Sequence, residues 1–162
     1  MPFVVSKNKP DVFIDGMQNV LYCSSMKLEK LANKKFKLIT VRSLIVTPDN
    51  QFLLLKRAPY KKKNALKWDL PGGGVDAGET PYNAILRETA EEVGCVFNHM
   101  DAVAKSKFSK KIRILFTAVA REPFNPVLDR EHTEHMWIKN LSDLPDEMHP
   151  KTQELIGNRI PS

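Results

Sequence analysis

Residues 72–95, GGGVDAGETPYNAILRETAEEVGC, decide how the rest of the chain is read. Pro71 and the three glycines after it cannot lie inside a helix or a strand, because proline removes a donor and glycine admits backbone angles that other residues avoid. Gly78-Glu79-Thr80-Pro81 reads as a helix start, with Thr80 as N-cap and Pro81 at the first helical position. Gly94 reads as the stop. At about 100° per residue, Tyr82, Ile85, Leu86, Thr89 and Val93 form one face, while Glu88, Glu91 and Glu92 gather on another. Three carboxylates on one face repel one another. A hard divalent cation would neutralise them, and oxygen ligands of this kind suit magnesium or manganese. A solvated acidic face is the plainer alternative. The PGGG turn, the Arg87-Glu88 pair and Gly94, all at fixed offsets, favour a site.

The stretch resembles the Nudix box, G-x5-E-x7-R-E-U-x-E-E-x-G-U, where U is a bulky aliphatic residue. Gly73, Glu79, Arg87, Glu88, Glu91, Glu92 and Gly94 stand in register with it. Thr89 and Cys95 depart at two U positions; the Thr89 hydroxyl is expected to bond back to a carbonyl one turn earlier. A looser likeness extends over roughly residues 38–140. The resemblance implies an α/β fold, the Nudix α/β/α sandwich with a mixed β-sheet between helices. It also implies a pyrophosphohydrolase using Mg2+, with Mn2+ as a substitute. Glu91 and Glu92 would then be core metal ligands, Glu88 a further ligand or the general base, and the Gly72 carbonyl a neutral ligand. Gly73, Glu79 and Gly94 would support the box. Arg87 is expected to orient Glu88 or Glu79 through a charge-assisted hydrogen bond. Glu79 also suits the positive end of the helix dipole.

Working outward, the chain of 162 residues has the length of one domain with a proper core. Residues 1–35 read as an N-terminal extension and 36–162 as the domain that carries the box. The extension has short apolar clusters, with a short helix expected at 26–33, and suits an added edge strand or a homodimer contact. No apolar run is long enough to span a bilayer and no signal peptide is read. Cys23 and Cys95 make no disulfide framework, so a cytoplasmic location is expected.

The formal net charge is +6. A basic balance fits polyanionic partners, although many soluble proteins are mildly basic without one. The charge is grouped: Lys56, Arg57, Lys61, Lys62, Lys63 and Lys67 precede the glycine turn, and Lys105, Lys107, Lys110, Lys111 and Arg113 follow the helix. Arg57 is the candidate for binding substrate.

Residues 36–47 and 51–57 read as a hairpin about Pro48-Asp49-Asn50. Trp68 is expected to pack beneath the loop that follows. Residues 95–104 suit a strand with a break at Asn98-His99, and 107–121 a hairpin or long strand turning near Ser109-Lys110. A loop at 123–130, a strand at 134–139 and a closing helix at 150–160 complete the chain.

Glu131-His132-Thr133-Glu134-His135-Met136-Trp137 is a second constellation, similar to a stretch before a late strand in many Nudix enzymes. Glu134 is taken as the glutamate that reaches the metals or acts as base; loop charges are the alternative. His132 and His135 lack a third ligand with zinc spacing. His99 and His149 are read as surface residues. Phe108, Phe116, Phe124 and Trp137 could meet a base, but each reads more simply as core. A nucleotide or other pyrophosphate-containing small molecule is the expected partner, with nucleoside triphosphates the default. The alternatives are a 5′-triphosphorylated RNA, an inositol pyrophosphate, or a non-catalytic nucleotide-sensing module.

Overall fold

The computed structural model describes residues 38–108 and 111–157, so the expectations placed on residues 1–35 and on the turn near Ser109-Lys110 lie outside the described residues. The elements run β1 (Leu38–Val46), β2 (Phe52–Arg57), β3 (Trp68–Asp69), α1 (Pro81–Val93), β4 (Asp101–Phe108), β5 (Lys111–Val119), β6 (His132–Ile138), a 3-10 turn (Leu141–Asp143) and α2 (Pro150–Gly157). All six strands join one mixed sheet. β1 and β5 run parallel, and the other pairings are antiparallel.

Period-two alternation gives β1, β2 and β5 two apolar faces, one for each helix layer. Val41, Ile45, Leu53 and Leu55 pack with Ala84, Ile85 and Val93 of α1. Leu44, Val46, Phe52 and Leu54 pack on the other side with Leu155 and Ile156 of α2. This is the α/β/α sandwich that the sequence implies.

The β1–β2 hairpin does not stay zipped. Its partners meet at Val46 and Phe52, and the segment from β3 through Val75 fills the gap that opens between them. Lys56 and Leu55 pair with Trp68 and Asp69. Val41 N–H then donates to the Gly73 carbonyl at 2.9 Å, Ser43 N–H to Pro71 at 2.8 Å and Val75 N–H to Ile39 at 3.0 Å. The glycine segment is therefore held along β1 by sheet backbone, which fixes its position relative to α1. The other edge of β2 carries β6, in a register that shifts between Lys56 and Arg57.

α1 begins and ends where its caps dictate. Thr80 accepts from Asn83 N–H, Pro81 occupies the first turn, and Gly94 at φ 72° closes the last turn onto Ala90. Two expectations need correction. Residues 95–100 are loop, and the strand begins only at Asp101, because Gly94 and the Asn98-His99 pair interrupt the extended run. Thr89 is buried, but its Oγ1 has no hydrogen-bond partner among the described residues, so the expected back-bond is absent. Trp68 is buried, as expected of a packing residue. No helix among the described residues is long and apolar enough to cross a membrane.

Phe116 sits at the centre of the α1-side core, fully buried and edge-on to Tyr82 at 6.3 Å between ring centres. Replacing it by alanine is expected to lower stability by about 3–5 kcal/mol, measured as the shift in urea midpoint with the slope unchanged.

Candidate metal centre

Thr80 and Gly94 set the register of α1, and that register decides which carboxylates meet the glycine segment. Glu92 is buried, and its Oε2 accepts the Gly72 N–H at 2.7 Å. Gly72 has φ 137°, and a Cβ there would collide with the Val41 carbonyl and Arg42 Cα. Only glycine lets the main chain run this close to β1 while its N–H points at the helix. Glu88 lies one turn back, with its carboxylate filling the space that a Gly73 side chain would need. Glu91, more than half exposed, completes the trio on the outer side.

Arg87 ties loop to helix. Its Nε and Nη2 each donate to Glu79 at 3.0 Å, its Nη1 to Glu88 at 2.9 Å and Glu91 at 3.4 Å, and its Nη2 also to the Gly74 carbonyl at 3.2 Å. The arginine thus orients both Glu79 and Glu88. Glu79 also accepts from Asp76 N–H at 3.1 Å, closing the loop that precedes the helix. The Arg87 hydrogen bonds hold the Glu79 carboxyl below its ordinary range.

The electrostatics separate the three helix glutamates. Burial pushes Glu92 up to about 8, against the opposing Gly72 N–H, and the Glu88 charge adds to the rise. Burial also raises Glu88, although Arg87 pulls the other way. A cluster that resists ionisation by itself needs a cation to be fully charged. The oxygen-rich donor set suits a hard divalent ion.

The loop 123–131 closes this group from the side of β6. Gly94 permits it: a Cβ there would stand 2.7 Å from Val127 Cβ, and Val127 N–H donates to the Val93 carbonyl at 3.0 Å. His132 is buried, with Nδ1 at 2.8 Å from Asp129 and Nε2 at 3.9 Å from Glu92. Burial lowers the imidazole against the pull of Asp129, so the ring is neutral at pH 7. Glu92, Asp129 and His132 offer ligand atoms within 4.8 Å of one another and could hold a metal ion. The sequence reading missed this grouping, because neither the spacing nor the type of Asp129 marks it. The useful signal was the Gly94 cap, which leaves room for a chain to cross the end of the helix.

Glu134 lies apart from this group. The register shift in β6 sets His132 opposite Arg57 and Glu134 opposite Lys56, and bulges of this kind re-aim side chains. The Glu134 carboxylate meets Lys56 Nζ at 2.9 Å, and that ammonium sits 5.5 Å above the Trp68 ring. Glu131 is paired with Lys61 at 2.7 Å. Arg57 stands across from His132, and its Nε is buried with no hydrogen-bond partner among the described residues. His149 is half-buried beside the Asp69 charge, which corrects its reading as a surface residue. Phe116 is core, and Trp137 donates from Nε1 to the Phe124 carbonyl at 2.9 Å, clasping the loop.

Without a divalent cation, folded Glu92 holds a proton that the unfolded chain releases above its ordinary value of 4.5. Its contribution to stability therefore falls as pH rises from that value towards 8. Chelator-treated protein is expected to lose about 2 kcal/mol, or roughly 4–8 °C in Tm, between pH 6.5 and 8.5. Glu92→Gln should flatten that slope, and differential scanning calorimetry across the range checks both.

The NUDIX domain family profile matches residues 37–156. The 8-oxo-dGTP diphosphatase of Haemophilus influenzae is 28% identical over 122 residues, 74% of this chain and 90% of that protein. An RNA pyrophosphohydrolase of Ruthia magnifica is 38% identical over 63 residues, which cover 39% of this chain and only 33% of that protein. Among solved structures, a MutT NUDIX hydrolase from Burkholderia pseudomallei superposes with a TM-score of 0.64 at 25% identity, covering 75% of this chain and 96% of that one. With the box in register on α1 and the profile spanning nearly all described residues, this chain belongs to the Nudix hydrolase family.

Proposed function

We propose that the protein is a divalent-cation-dependent pyrophosphohydrolase that cleaves a nucleoside triphosphate, or another nucleoside diphosphate linked to X, by water attack on phosphorus. The observation that carries this reading is the meeting of Glu88 and Glu92 with the Gly72–Gly73 backbone, both raised by burial, with Glu91 beside them on Arg87. Magnesium is the proposed ion and manganese the proposed substitute, since the donors are oxygen. When bound, such an ion would lower the pKa of a water and offset charge on the phosphoryl oxygens.

The remaining work falls to side chains. Glu91 and Glu92 are the proposed core ligands, and the Gly72 carbonyl a neutral one. Glu88, oriented by Arg87 and half withdrawn from water, is a ligand or the group that accepts a proton from the attacking water. Burial keeps the His132 ring neutral, and the Asp129 carboxylate fixes it beside Glu92. Arg57, with a buried unpartnered Nε, is the proposed phosphate contact. The base role expected of Glu134 would require its carboxylate to leave Lys56, so Glu88 is favoured by geometry.

The similarity to 8-oxo-dGTP diphosphatases supports a nucleoside triphosphate substrate. The basic loop between β2 and β3, with Lys62 and Lys63 exposed, favours a second reading in which the triphosphate is the 5′ end of an RNA. The RNA pyrophosphohydrolase relative points the same way. Cys95 is a free thiol, in keeping with the proposed cytoplasmic location.

Phosphate and pyrophosphate release should be followed with magnesium on canonical and oxidised nucleoside triphosphates, ADP-ribose, dinucleoside polyphosphates and triphosphorylated RNA. One class is expected to turn over. Excess EDTA should abolish the activity, and Glu91→Gln should lower it by about a hundredfold or more with the Tm retained. Full activity in EDTA or in the variant would overturn the metal reading.

A further inference from the structure

The face of the sheet towards α2 carries two arginines that the metal centre does not use. In the parallel β1–β5 pair Thr40 stands opposite Arg113 and Arg42 opposite Leu115, so Arg42 and Arg113 are diagonal neighbours on one face. Like charges so placed repel unless an anion lies between them.

The acceptors nearby do not satisfy both. Asp69 is buried, and its Oδ1 takes the Thr152 hydroxyl and the Leu70 N–H, the latter at 2.8 Å. Its Oδ2 meets Arg42 Nη2 at 3.3 Å. Arg42 Nη1 donates to its neighbour's carbonyl on Val41 at 2.9 Å. That leaves Arg42 Nε and Arg113 Nη1, both buried, with no hydrogen-bond partner among the described residues. Glu154 influences Arg113 only through its field, without an ion pair. Burial lowers His149, so it adds little positive charge at pH 7. Asp69, its oxygens occupied, thus pairs with Arg42 and reaches Arg113 only through its field.

We propose that Arg42 and Arg113 form an anion subsite that receives a second phosphate of the substrate, separate from the pyrophosphate at α1. The proposal rests on the hydrolase reading above for the identity of the rest of the ligand. Planar guanidinium forks suit a tetrahedral oxyanion with several acceptors, whereas a neutral base would leave the charge uncompensated. The subsite is close to the metal centre: Gly72, whose N–H holds Glu92, is packed against Arg42 Cα. The Arg42 charge acts on both Glu88 and Glu92. The proposed ligand spans the Gly72 segment, with its pyrophosphate on the α1 side and its second phosphate on the α2 side. Its second phosphate would be a monoester on the sugar of a nucleotide or the first phosphodiester of an RNA chain.

Calorimetric titration of inorganic phosphate into the metal-free full chain tests the subsite without needing turnover. One site is expected, weakened about tenfold or more in Arg113→Met and kept in Arg113→Lys, with unchanged melting curves showing that both variants fold. No phosphate binding, or equal binding by Arg113→Met, would overturn the proposal. With magnesium, KM should then be compared for ATP, for adenosine bearing a 5′-triphosphate and a 3′-phosphate, and for 5′-triphosphorylated ApA. A KM lower than that for ATP, at similar kcat and lost in Arg113→Met, is expected for one of the latter two. The mononucleotide would identify a sugar phosphate and the dinucleotide a backbone phosphate. Equal KM for all three would contradict the subsite, whereas absence of any turnover beside intact phosphate binding would sink only the hydrolase reading.

Discussion

The close approach of residues 71–75 to β1 is the constraint on which the site depends. A glycine at 72, with φ 137° and the Val41 carbonyl where a side chain would be, lets an N–H reach Glu92 across the gap between sheet and helix. Backbone hydrogen bonds from Val41, Ser43 and Val75 hold the segment in place. The carboxylates on α1 are then positioned by two rigid elements instead of a free loop, the arrangement that a charge-neutralising site needs.

That geometry comes with an electrostatic conflict. Glu92 is buried among Glu88, Asp129 and a neutral His132, and Arg87 spends most of its donors on Glu79 and Glu88. The helix does not relieve the conflict itself, since no basic residue lies in its last turn. A bound divalent cation would resolve it by favouring the charged form of every carboxylate at once. On the opposite face Arg42 and Arg113 show the reverse imbalance, donors in excess of acceptors. The two sites lie on either side of the Gly72 segment, so excess negative charge and excess positive charge are divided by one stretch of backbone.

Much of this was legible in the sequence, for local reasons. Thr80, Pro81 and Gly94 mark the ends of α1 because capping depends on residues next to the helix. The Glu88, Glu91 and Glu92 spacing gives one helical face by geometry alone. What escaped depends on contacts between distant residues. A helical wheel cannot say that Glu92 lies at the edge of that face and is buried under Gly72. Asp129 reaches the site only because Val127 crosses the end of α1 at Gly94. The register shift at Arg57 separates His132 from Glu134, and nothing in EHTEHMW distinguishes the shifted strand from a regular one. The Arg42–Asp69–Thr152 connection joins three elements and has no signature in any of them.

We propose that a buried, proton-holding Glu92 gives up its proton to a divalent cation shared with Glu88 and Glu91. Calorimetric titration of Mg2+ into the full chain at pH 7, repeated in buffers of different ionisation enthalpy, measures that exchange directly. About one proton released per cation bound is expected, fading by pH 9 as Glu92 ionises beforehand and absent in Glu92→Gln. Cation binding with no proton release, and with the same affinity in Glu92→Gln, would contradict the account.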